Sequence, residues 1–104
     1  MPSDPHRQYA LSIVHDLGGR RAESDRMIRE LIEHHSNAMA AQIAELYAAR
    51  GDADHAFEWL ERAYTVRDAG LAEIAANRRF RPIHGDLRWA AFMKKMGFDK
   101  GFAD

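Results

Sequence analysis

Apolar side chains recur along this chain at three- and four-residue spacings, the period of a helix lying against a core. Asp4-Pro5 opens the first predicted helix, since Asp caps free N–H groups and Pro is pre-set for the first helical position. Tyr9, Ser12, Ile13 and Asp16 lie along one side of it, and Leu11, Val14 and Gly18 along another. Neighbours on two sides are therefore expected. Gly18-Gly19 ends it. A second helix is predicted over 21–35, with Ser24, Ile28, Leu31 and Ile32 as its apolar stripe, Met27 beside it, and Glu23, Asp25, Arg26, Arg29, Glu30 and Glu33 facing water. Asn37 is the expected cap of a third helix over about 38–50, and Asp52 or the residues after it that of a fourth over about 53–67. Residues 71–76 allow one short helix, and 77–85 read as a loop with one or two apolar anchors. Asp86 starts a last helix carrying Leu87, Trp89, Ala90, Phe92, Met93 and Met96 as far as Gly97. The fold class is all-α, in one domain.

The pattern repeats. A shift of 32 residues lays Gly19 on Gly51, Leu11 on Ile43, Ser12 on Ala44, Ser24 on Ala56, Ile28 on Leu60 and Leu31 on Ala63, while His15 falls on Tyr47. Small residues in matching columns mean close helix approach, because a larger side chain at Ala44 or Ala56 would force the pair apart. Tyr47, Phe57 and Leu60 are expected to fill the space around those contacts.

The spacing of Ala40, Ile43, Ala44, Tyr47, Gly51, Ala56, Leu60 and Ala63 resembles the tetratricopeptide repeat. Ala40 fills that signature's first large column, and Asp68 stands where it has Pro. The C-terminal part resembles the end of bacterial tetratricopeptide proteins, through Asp68, Gly70 and Leu71, then Phe80, Pro82 and Ile83, then Asp86, Arg88 and Trp89, then Met96-Gly97-Phe98. It departs at Ala69, Arg78 and Leu87, where that pattern has Pro, and at Asn77, where it has Asp. The resemblance implies a degenerate repeat over 5–36, a well-formed repeat over 37–70 and an atypical cap over 71–98, together an α-α superhelix of two helix pairs, a short helix and a capping helix. Open ends of such arrays need a cap to cover their apolar face.

Composition narrows the chemistry. The chain has 104 residues, 46% hydrophobic, with no Cys and a formal net charge of −1. There is no long apolar run for a membrane span and no secretory leader pattern at the start. Absence of Cys excludes disulfides, thiolate metal sites and a Cys nucleophile, and is compatible with a cytoplasmic setting. Charge is uneven, with a balance of −5 over residues 1–76 and +4 over 77–104. The basic end holds Arg78, Arg79, Arg81, Arg88, Lys94 and Lys95 with Phe80 and Trp89, a combination single-strand nucleic-acid binders use. Phe80 and Trp89, however, occupy apolar columns of the cap pattern, which disfavours them as stacking platforms. An acidic protein surface suits that patch better.

Six histidines give no metal-ligand spacing: His34 and His35 diverge by about 100° on a helix, and no His-Glu-x-x-His run occurs. Glu45, Glu58 and Glu61 find no nucleophile or phosphate loop, and Gly18-Gly19-Arg20-Arg21 lacks the Lys-Ser/Thr of a P-loop. No enzyme activity, metal or cofactor is expected.

In the family resembled, the first helix of each pair lines the concave face. The resemblance assigns that face to Tyr9, Ile13, Ala38, Ala41, Gln42, Glu45 and Ala49, with core packing against the second helix as the other reading of Tyr9 and Ile13. Some family members clamp a peptide's terminal carboxylate there with Lys and Asn. The matching positions here are Tyr9, Ile13 and Gln42 beside acidic Glu45, which argues against that mode and suits a weakly basic ligand. The expected function is non-catalytic scaffolding, binding a protein or peptide partner on the concave face. A homodimeric module is the first alternative, since two repeats are fewer than the roughly three such arrays need. Nucleic-acid binding through the basic end is the second.

Overall fold

The computed structural model describes residues 4–97. Within them lie five α-helices and two 3₁₀ helices and no strand: α1 (Pro5–Leu17), α2 (Arg21–His35), α3 (Ala40–Ala49), α4 (Ala53–Thr65), 3₁₀ segments Ala69–Glu73 and Arg78–Ile83, and α5 (Leu87–Met96). No helix among them is long and apolar enough to cross a membrane.

Helices α1 and α2 form one antiparallel hairpin and α3 and α4 a second. Both turns are built alike. Gly19 and Gly51 take positive φ of 77° and 79°, the left-handed conformation in which glycine carries no Cβ penalty. Gly19 N–H donates to the Asp16 carbonyl at 3.2 Å and Arg20 N–H to the His15 carbonyl at 2.8 Å. The same two bonds recur 32 residues on, from Gly51 to Ala48 at 2.9 Å and from Asp52 to Tyr47 at 3.0 Å. The internal repetition read from side-chain types is thus also a repetition of backbone geometry.

The small columns lie in the interior. Ala40, Ile43, Ala44, Ala56, Leu60 and Ala63 are fully buried. In the first hairpin, Ser12 and Ser24 stand where the second has Ala44 and Ala56, and their buried hydroxyls bond to each other at 2.9 Å. A hydroxyl is tolerated there because its partner is supplied across the contact. Tyr47, in the remaining signature column, is half-buried and stacks on His55 with ring centroids 4.8 Å apart.

Helix α3 is the centre of the molecule. It lies against α1, α2, α4 and both 3₁₀ helices, and seven of its ten residues are buried. That accounts for its Ala-rich sequence: a helix contacted nearly all round has no polar face and must be thin to let its neighbours in.

Several expectations are corrected. Asn37 does not cap α3; the helix begins at Ala40 with no side-chain bond from its own cap position. Asp68, 27 residues on, reaches back instead, its carboxylate accepting from Ala41 N–H at 3.1 Å and from Gly70 N–H at 2.8 Å. Residues 77–85 are not a loop. Asn77 accepts from Arg79 N–H at 3.0 Å and starts the second 3₁₀ helix, whose buried Phe80 and Ile83 are the anchors. The short helix begins at Ala69, before Leu71, and is 3₁₀. Helix α1 meets both α2 and α3, the two neighbours expected of it, while Val14, 54% exposed, and Leu17, 81% exposed, stay uncovered. The caps at Asp4, Asp52 and Asp86 are as expected.

Candidate functional site

Helices α1 and α3 and the capping segment between Gly70 and Phe80 border a cavity of about 240 Å³, lined by Tyr9, Gln42, Glu45, Glu73 and Asn77 among others. Its floor is set by a close approach. A Cβ on Gly70 would come within 3.1 Å of the Ala41 Cβ and of Asp68 Oδ1, so a larger residue would push the 3₁₀ helix or its neighbours aside by a few tenths of an ångström.

Glu45 is the chemical centre of the cavity wall. It is a carboxylate 6% exposed, projecting from the middle of α3. A buried charge must be paired and hydrogen-bonded to be tolerated. Three side chains provide this. Tyr9 of α1 donates its hydroxyl to Oε2, Asn77 donates Nδ2–H to Oε1 at 2.5 Å, and the Arg79 guanidinium lies 3.1 Å away. The Arg79 N–H is off the line of that contact, so the pair is chiefly Coulombic and the aligned hydrogen bonds come from Tyr9 and Asn77. Burial, then the bond to Glu45 and its negative charge, hold the Tyr9 phenol well above its ordinary value, so it stays protonated.

Gln42 stands one helical turn before Glu45. Its Oε1 is buried with no hydrogen-bond partner among the described residues.

Of the concave-face residues read from the sequence, the fold brings Tyr9, Ala41, Gln42 and Glu45 together around this cavity. Ala41 and Glu45 are themselves buried, so the surface they offer is narrow. Ile13 packs half-buried against the core. Ala38 lies exposed in the turn before α3, and Ala49 is half-buried at that helix's far end; neither lines the cavity. The sequence reading missed His6, Gly70, Glu73, Asn77 and Arg79. Its available signal was Asp68 and Asn77, two good capping residues in a segment taken as a short helix and a loop.

A second depression of about 370 Å³ lies on the outer side, between α4 and α5, over Phe57, Ala91 and Phe92. Ion pairs tie its walls: Arg88 to Asp54 at 3.0 Å, and Lys95 to Glu61. These pairs, with Arg79–Glu45, engage three of the six cations noted at the basic end. Phe80 is buried and stacks with half-buried Trp89, their centroids 5.7 Å apart. Its face is therefore not available to a base.

A further polar network was not read from the sequence. Arg50, its side chain 7% exposed, reaches from the end of α3 to Asp16 at 3.0 Å, Asp25 at 2.5 Å and the Ser24 hydroxyl at 2.5 Å. It joins α3 to both helices of the first hairpin. Among the described residues, no three His, Asp or Glu side chains come together as metal ligands would. No protein-family model, curated protein or solved structure matches this chain.

Proposed function

We propose that this chain is a tetratricopeptide-like, non-catalytic interaction module that binds a protein or peptide partner at the cleft on its concave side. The observation that carries this reading is the cleft itself. Residues from α1, α3 and the capping segment line one polar cavity around the braced Glu45. The 32-residue recurrence of both hairpin turns supports the tetratricopeptide-like superhelix. At about 240 Å³ the cavity is below the roughly 300–1,000 Å³ of small-molecule sites, which favours one anchoring side chain of an extended partner over a whole helix or a cofactor.

The test is peptide display selection on the full chain, followed by binding to Gln42→Trp, a substitution at a half-buried cleft position. Selected peptides are expected to lose binding to the variant while its far-ultraviolet circular dichroism matches the parent. Equal binding to both would remove the reading.

Self-association is the second reading, favoured by Val14 and Leu17 on the uncovered side of α1. It requires a dimer mass by light scattering at micromolar concentration, and a clean monomer over a wide range would remove it.

A further inference from the structure

The cleft carries an imbalance of donors and acceptors. Tyr9 has one hydroxyl hydrogen and spends it on Glu45, so towards the cavity its oxygen can only accept. Gln42 Oε1 is a buried acceptor with no partner. Glu73 adds an exposed carboxylate at the rim. The charge of Glu45 is balanced by Arg79, whereas no described cation pairs with Glu73. Asp68 is spent on two backbone N–H groups. Beside the Gln42 amide N–H groups and the His6 ring, the cleft offers three acceptors, one uncompensated negative charge and room for a single side chain.

We infer that the cleft takes a primary ammonium group, as the anchor of the peptide it binds. An ammonium has three N–H donors, no acceptor and one positive charge. It therefore matches Tyr9 Oη, Gln42 Oε1 and Glu73 in number and sign. A carboxylate would meet the like charge of Glu73 and supply no donor to Gln42 Oε1. An aliphatic side chain would leave Gln42 Oε1 dry and unpaired. The guanidinium of Arg is a flat fork made for bidentate carboxylates, and Glu45, the one enclosed carboxylate here, already has both oxygens engaged. The inference rests on the cleft being the binding surface, and it sets the chemistry of what enters.

The experiment is an amide-shift titration of the full chain with end-blocked pentapeptides, Ala-Ala-X-Ala-Ala, where X is Lys, norleucine or Glu. A fourth probe is Ala₅ with a free N-terminus, which distinguishes a chain-terminal amine from a lysine side chain. The Lys peptide is expected to shift Gln42, Glu73 and Asn77 and to bind roughly ten-fold tighter than the norleucine peptide. Glu73→Gln, at an exposed position, is expected to remove most of that preference without changing the fold. Tighter binding of the free-N-terminus probe than of the Lys peptide would assign the ammonium to a chain terminus. Equal shifts in the cleft from Lys, norleucine and Glu peptides would overturn the ammonium assignment and leave the cleft reading standing. Shifts along Asp54 and Ala91 from all probes would overturn both. No shift from any probe would overturn the ammonium assignment alone, since selection against Gln42→Trp tests the cleft independently.

Discussion

Replacing Arg50 with Ala isolates the interaction that joins the two hairpins. The guanidinium is 7% exposed and meets Asp16, Asp25 and Ser24. Removing one partner of a buried ion pair costs about 3–5 kcal/mol, because the other charge is left without compensation. Two features reduce that figure here. Asp25 is 42% exposed and is rehydrated, so its share is that of a surface pair, about 0–1 kcal/mol. Asp16, 15% exposed, keeps a second contact to Arg21 at 2.9 Å. The expected loss is therefore about 2–3 kcal/mol, a large part of the roughly 5–15 kcal/mol available to a small domain. In melting temperature that is roughly 10–20 °C. Urea unfolding followed by circular dichroism and tryptophan fluorescence measures it, with Arg26→Ala as control. Arg26 pairs with Glu23 at the surface, both more than 45% exposed, and its loss is expected to cost under about 0.5 kcal/mol. A loss for Arg50→Ala no larger than the control's would refute the role given to this network.

Three further outcomes are expected. Ala44→Trp places a large ring in a fully buried close contact and should cost at least about 3 kcal/mol or abolish cooperative unfolding; a cooperative melt at the parent temperature would contradict it. Arg67 holds φ of 58° where α4 ends in the same two-bond turn as the hairpins, so Arg67→Gly should raise stability by about 0.5–1 kcal/mol, and destabilisation would show that its side chain has another task. The raised phenol of Tyr9 means the unfolded chain ionises first on the alkaline side. Its stabilising contribution is present below about pH 10 and is lost as pH rises beyond that, so phenolate absorbance should show one tyrosine ionising only together with unfolding, and Tyr9→Phe should remove that component.

Much of the helical order was legible because its signals are local. Asp4-Pro5, Gly19, Gly51, Asp52 and Asp86 each act within a turn of themselves, and the helix boundaries they mark are close to those observed. The small columns at Ser12, Ser24, Ala44 and Ala56 were legible through their repetition. What escaped acts over distance. Arg50 stands at the end of the predicted third helix, and nothing in its neighbours indicates that its guanidinium crosses to α1 and α2. Asp68 caps a helix 27 residues before it, whereas Asn37, well placed by local rules, does not. The same blindness affected the site. Tyr9, Gln42 and Glu45 could be named from their columns, but the cavity they share exists only because Gly70, Glu73 and Asn77 fold back over α3. Ile13, Ala38 and Ala49 were carried by the same column logic and do not line it.

Where a partner sits is the most direct test of binding at the cleft. A peptide selected on the full chain, rebuilt with a photoreactive diazirine beside its anchoring residue, can be cross-linked and the adducts located by mass spectrometry. Adducts on Tyr9, Gln42 and Glu73 are the expected result. Adducts on Asp54, Glu58 and Ala91 in the outer depression, or on Val14 and Leu17 along α1, with the cleft unlabelled, would contradict it.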